Sequence, residues 1–147
     1  MGARHRGREI ALQILYQVDV TGHPPDAALE LFKHNFDVKK DSWDFAEGLA
    51  RGIFEYVADI DTLIENQSEH WKLSRMTVTD RNILRLAVYE LRYREDIPSK
   101  VTLNEAIELG KKYGTEDSGA FINGILDRVY RNWQGDKKTK RAPLAED

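Results

Sequence analysis

The sequence predicts an all-α fold, six to seven helices in two packed three-helix bundles. Three observations carry this. Apolar residues recur at three- and four-residue intervals, as in Ile83, Leu84, Ala87, Val88 and Leu91. No segment reads as a strand. Glycines, prolines and polar capping residues divide the chain into helix-length pieces with short connections, so successive helices are expected to pack as neighbours.

Taken in order, residues 1–7 read as a flexible basic arm. From Arg8 the pattern turns helical: Ile10, Ile14 and Val18 repeat every four residues beside Ala11 and Leu15, and Gly22 and Pro24–Pro25 end the run. Asp26 can begin a second helix with Ala28, Leu29, Leu31 and Phe32 as its apolar positions, and 36–40 is a linker. Asp41 or Ser42 can cap a long third helix reaching Glu65, with the stripe Phe45, Leu49, Ile53, Tyr56 (or Val57), Ile60, Leu63 and Ile64. Gly48 and Gly52 lie inside it. Each costs about 1 kcal/mol against alanine in a helix interior, so a close helix contact is expected there. In 66–79, Trp71, Leu73 and Met76 read as plugs for a turn or short helix, and Thr77 and Asp80 are spaced to cap the central helix. That helix covers Asp80–Glu95 and stops before Pro98. Thr102 and Glu105 have capping-box spacing for the next, whose stripe is Leu103, Ala106, Ile107 and Gly110; Gly114 stands where a C-terminal cap belongs. Thr115 or Asp117 can start the last helix, with Ile122, Ile125, Leu126, Val129 and Trp133 on one face. The expected organisation is one domain over 8–134, made of bundles 8–66 and 71–134, then a disordered charged tail over 135–147.

A chain of 147 residues can bury a core without staples. It has no cysteine, hence no disulfide framework or thiolate chemistry, and no apolar run near the ~20 residues of a membrane span. A cytoplasmic protein without a membrane partner is expected. The net charge of −3 argues against a general nucleic-acid binder. Its distribution argues otherwise: Arg4, Arg6 and Arg8 precede any acid, and Lys137, Lys138, Lys140 and Arg141 fill the tail. A basic end on an acidic body suits one local anionic contact and a separate protein contact.

The run DRNILRLAVYEL followed by IPSKVTLNEAIELGKKYGTEDSGAFINGILDRV closely resembles the C-terminal half of the NusB family of bacterial transcription antitermination factors. The run REIALQILYQ is similar to that family's first helix. The two patches stand in the expected order. The resemblance implies two small helical bundles in one all-α unit. It also implies a non-catalytic protein that, with the small-subunit ribosomal protein NusE, binds boxA of nascent ribosomal RNA and joins the RNA polymerase elongation complex with other Nus factors. Some NusB relatives form homodimers, so a homodimer is compatible with it.

Both readings supply candidate site residues. Arg4 and Arg8 would align on one face if the helix gained a turn, and guanidinium forks suit phosphate oxygens. The resemblance assigns Arg4, His5, Arg6 and Arg8 to RNA; Gly7 and His5 depart from the family's denser arginine run, which lowers the affinity expected of this element. On the last helix Phe121 lies about 100° from the apolar stripe, Asp117 shares its flank, and Ala120 and Gly124 adjoin it. From spacing alone these are a core-edge ring and a first-turn acid favoured by the helix dipole. The resemblance makes both RNA contacts, the ring for stacking and the acid for a base amino group. It places Tyr113 near the RNA surface, where spacing alone packs it against the end of its helix. Lys100, on a face that lysines usually give to solvent, can widen the positive field seen by RNA, and Ser118 is a further RNA-binding candidate. Ala120 stands where many relatives carry a cation. Tyr16, Asp80, Arg81 and Arg85 read as a half-buried tyrosine and surface charge; the resemblance assigns them to NusE.

Enzyme signals are poor. His5, His23, His34 and His70 share no metal-ligand spacing, the glycines form no phosphate loop, and Ser118 lacks a nucleophile context. No cofactor or metal is expected. The rival reading is a helical interaction module, a homodimer or an RNA-modification helper, without RNA specificity of its own.

Overall fold

The computed structural model describes residues 2–68 and 71–133, without the Trp133 side chain. The tail over 135–147 lies outside the described residues. Six α-helices and one 3-10 turn are found among them: α1 Ala3–Thr21, α2 Pro25–Asn35, α3 Lys40–Gln67, the turn Leu73–Arg75, α4 Val78–Tyr93, α5 Ser99–Tyr113 and α6 Ser118–Trp133. None of the described helices is long and apolar enough to cross a membrane.

The boundaries reflect local chemistry. Gly22 ends α1 with φ 76°, and its N–H donates to the Val18 carbonyl. Pro25 opens α2 in the first turn, where its missing N–H costs nothing. Thr77 caps α4 by accepting from the Asp80 N–H at 3.1 Å, as its spacing predicts.

Three boundaries differ from expectation. First, α1 begins at Ala3, so residues 3–7 are helix and not a separate arm. Gly7 makes this packing feasible. A Cβ there would meet Phe45 Cδ2 at 2.8 Å and the Ser42 carbonyl oxygen at 3.0 Å, so only glycine lets the first turns of α1 and α3 approach so closely. Second, α5 starts at Ser99, and Thr102 does not cap it; its hydroxyl donates instead to Glu90 Oε1 at 2.6 Å. Third, Gly114 ends α5 in extended backbone. It is needed for space, because a Cβ would press on the Ser118 side chain.

A small core joins Ile10 and Ile14 of α1, Ala28, Leu29 and Phe32 of α2, and Trp43, Ala46 and Ala50 of α3. A larger one runs without a break from Ala11 and Leu15 through α3 and α4 to Ile122 and Val129 of α6. The two halves are therefore fused through α4. That helix is buried on more than its predicted stripe: Asn82, Leu86, Tyr89, Glu90 and Tyr93 are interior as well. α4 packs against α1, α3, α5 and α6. One of the two α3 glycines has the predicted close contact. A Cβ on Gly52 would lie 2.6 Å from Tyr89 Cε1 and closer still to its phenol carbon and oxygen, whereas one on Gly48 would meet nothing within 4 Å. Past that contact α3 kinks at Tyr56, whose φ −109° and ψ 19° leave the helical range, and the Tyr56 ring stacks on Tyr93 with centroids 4.4 Å apart.

Candidate nucleic-acid interface

The first turns of α1 bring its cations to the surface beside α5. Arg4 is half-exposed; its guanidinium lies over the Phe45 ring at 5.0 Å and pairs with Asp96 at 2.9 Å. Asp96 also binds Arg94 through two guanidinium nitrogens at 2.9 and 3.0 Å. The Arg94 and Arg4 cations hold its carboxyl down at about 2. His5 Nδ1 sits 3.0 Å from Glu105 Oε1, and Arg6, also half-exposed, lies 3.6 Å from Glu9.

Arg8 behaves differently. One turn beyond Arg4 it faces the same Phe45 ring at 5.3 Å, as the four-residue spacing predicts, but its side chain is 3% exposed. Its Nε and one terminal nitrogen donate to the two oxygens of Glu90 at 2.7 and 3.1 Å, and Glu90 is fully buried. Its expected role as an RNA contact gives way to a structural one, because the interior already holds a carboxylate shaped for the fork.

Glu9 links this region to the end of α5. Lys112 Nζ reaches it at 2.6 Å and the Tyr113 hydroxyl donates to it at 2.9 Å. Burial pushes the Glu9 carboxyl up, but the hydrogen bonds of Lys112 and Tyr113 outweigh it and bring the group below its ordinary value. Tyr113 keeps part of its ring exposed. Lys100 is exposed on the first turn of α5.

The turn after Tyr113 orders the start of α6. Ser118 is 1% exposed; its Oγ accepts the Thr115 N–H at 2.9 Å. It shapes the turn and does not offer its hydroxyl outward, which corrects its assignment to RNA. Asp117 is exposed just before the helix, its N–H donating to Thr115 Oγ1 at 3.3 Å. Phe121 is half-buried, packed at the margin of the large core, and meets Trp71 edge-on at 6.2 Å and 81°. Ala120 and Gly124 beside it are exposed, so one side of the ring stays open. Contacts thus run from Arg6 through Glu9 to Tyr113, from which the chain leads by way of Asp117 into α6 and Phe121.

The residues assigned to a protein partner separate into two groups. Tyr16 is 45% exposed and, with Leu12, Phe32, Phe36, Thr79 and Tyr113, lines a groove of about 410 Å³ between α1, α2, α4 and α5. Asp80, Arg81 and Arg85 do not form a free charged surface. Asp80 is 7% exposed, and its Oδ1 is buried without a hydrogen-bond partner among the described residues. Arg81 grips Asp19 through two bonds of 2.7 Å; Arg85 grips Asp61 at 2.8 and 3.1 Å and reaches Asp19 at 3.1 Å. Asn82 adds a further bond to Asp19 at 2.9 Å. The Arg81 hydrogen bonds, with those of Asn82 and the Arg85 charge, hold the Asp19 carboxyl at about 2 against a smaller opposing effect of burial. These arginines clamp α4 to α1 and α3 because the carboxylates they need project from those helices.

Among the described residues no group of three or more His, Asp or Glu could hold a metal. Trp71 and Arg128, both lining a groove with Phe121, were not singled out as site residues by the sequence. The available signal was a tryptophan in the otherwise polar stretch 65–72.

Comparison with known proteins gives one consistent answer. The model described as the NusB family matches residues 5–131. The chain is similar to the transcription antitermination protein NusB of Desulfatibacillum aliphaticivorans, 47% identical over 141 residues that cover 96% of this chain and 99% of that protein. Its fold is similar to that of T. maritima NusB in a P3121 crystal form, with TM-score 0.79, 41% identity, and 96% and 94% of the two chains covered. It is also similar to a chain in the crystal structure of the antitermination factors NusB and NusE in complex with double-stranded RNA, with TM-score 0.79, 29% identity, and 88% and 97% covered. On the extent of these matches, the chain belongs to the NusB family.

Proposed function

We propose that this protein is a non-catalytic RNA-binding antitermination factor of the cytoplasm. Together with NusE it binds boxA of nascent ribosomal RNA, and the pair joins the RNA polymerase elongation complex with other Nus factors to suppress termination. The observation that carries this reading is the likeness, over nearly the whole chain, to a protein crystallised with both NusE and RNA.

The geometry supports a division of labour. Arg4 and Arg6 lie at the surface, where guanidinium groups exchange their carboxylate partners for backbone phosphates; such contacts position RNA and are salt-sensitive. The open side of Phe121 offers a stacking surface, and exposed Asp117 one turn before it can accept from a base amino group. Lys100 and the accessible part of Tyr113 extend the same contact. The groove beside Tyr16 is the surface this reading gives to NusE, while Arg81 and Arg85 clamp α4 to α1 and α3.

The test is titration of a labelled boxA oligoribonucleotide against a scrambled one, each with and without NusE. Preference for boxA, strengthened by NusE, supports the function. Equal affinity for both RNAs in each condition rejects it.

A further inference from the structure

Resting on the RNA-binding reading of Phe121, we propose that Trp71 is a second stacking wall, which with Phe121 and Arg128 forms a pocket for one unpaired, unstacked nucleobase. Trp71 is 49% exposed, unusual for a side chain with so much apolar surface. It is nevertheless held in place. Its backbone N–H donates to the Ser68 carbonyl at 2.6 Å, and the Ser68 hydroxyl donates back to the Trp71 backbone carbonyl at 2.7 Å. Ser68 itself is 3% exposed. These bonds set the backbone from which the indole projects, and its edge-on contact with Phe121 orients the ring.

The two rings meet at 81° with centroids 6.2 Å apart, so they form a corner. A flat base lying on one ring presents its edge to the other. The floor is small: Ala120, Gly124 and Ile125. A Cβ on Gly124 would meet nothing within 4 Å, so the floor is open. The groove holds about 240 Å³, enough for a single base. Among the described residues its lining bears one charge, that of Arg128. A planar guanidinium at the rim suits both the face of a base and the phosphate attached to it. Two π-faces, a small floor and one cation match a nucleotide in single-stranded RNA, the form in which bases are free to splay out.

The experiment uses the full chain with NusE and a labelled boxA oligoribonucleotide, in parallel with copies carrying one abasic site each. Trp71→Ala should weaken binding by roughly 5- to 150-fold, the range of one lost base stack, while Trp71→Phe keeps most of the affinity. Arg128→Gln should weaken it less and flatten its salt dependence. At one RNA position the abasic change should weaken binding to the unaltered protein and add nothing in Trp71→Ala. That non-additivity marks direct stacking, which a purely structural role would not produce. Three results would overturn the proposal while the RNA-binding reading survives. Trp71→Ala leaves boxA affinity unchanged; it weakens all RNAs, abasic copies included, by one common factor; or it weakens NusE binding and spares RNA, which would make the groove a protein contact. If the unaltered protein fails to prefer boxA to scrambled RNA, both readings fall together.

Discussion

Arg8 and Glu90, 82 residues apart, form a two-pronged ion pair inside the protein, with bonds of 2.7 and 3.1 Å. It joins the first helix to the central one, and the Thr102 hydroxyl completes it from α5 at 2.6 Å. Removing one partner of such a pair leaves the other charge buried and uncompensated, at a cost of about 3–5 kcal/mol. Arg8→Ala should therefore lower thermal stability severely, while RNA affinity per folded molecule persists. Denaturation with a parallel binding assay checks this; a stable variant that has lost RNA binding would return Arg8 to the interface.

Asp19 makes the fold acid-sensitive. Its carboxyl, held at about 2 in the folded chain, has an ordinary value of 3.8. A depressed carboxylate contributes stability that is fully present above its unfolded value and is lost as pH falls from about 4 towards 2. The contribution is about 2 kcal/mol. Asp19→Asn should be less stable at neutral pH and should show a shallower loss over that acid window. Urea denaturation at a series of pH values measures both.

The two glycines of α3 should respond in opposite directions. Gly48→Ala meets open space and should stabilise by about 0.5–1 kcal/mol through helix propensity. Gly52→Ala drives a methyl group into the Tyr89 phenol and should destabilise by about 1–3 kcal/mol. Chemical denaturation of the two variants checks both signs.

Arg4→Gln and Arg6→Gln should each reduce the slope of RNA affinity against salt by about one, without changing preference among sequences. A change in preference with an unchanged slope would mean that these side chains read bases and not phosphates.

Phe121→Ala should weaken boxA binding while costing the fold well under the ~3–5 kcal/mol of a fully buried phenylalanine, since the ring is only half-buried. A collapse in melting temperature with RNA binding intact per folded molecule would make Phe121 a core residue.

The helices were legible because their apolar faces repeat at helical spacing and because Gly22, Thr77 and the prolines mark their limits. The burial of Ile83, Leu84, Ala87, Val88 and Leu91 is a direct consequence of that spacing. Beyond the reach of local pattern were partners distant in sequence. Arg8, Arg81 and Arg85 look like surface cations until the fold brings Glu90, Asp19 and Asp61 to them. Thr102 has the spacing of a cap, yet a buried carboxylate offers its hydroxyl a stronger bond. Gly7 looks like a helix breaker, and only the approach of Phe45 explains it. In the candidate interface, exposed Asp117 and half-open Phe121 fit the one-flank geometry expected from the sequence, whereas the place of the Trp71 indole beside them depends on the Ser68 bonds to its backbone and on the Phe121 ring of α6.

The most direct measurement is boxA affinity as NusE concentration rises, with the converse titration of NusE as boxA rises. Cooperative recognition predicts that each tightens the other by the same factor, roughly 5- to 150-fold, and that scrambled RNA shows no such coupling. Affinity for boxA that stays equal to that for scrambled RNA at every NusE concentration would contradict the account.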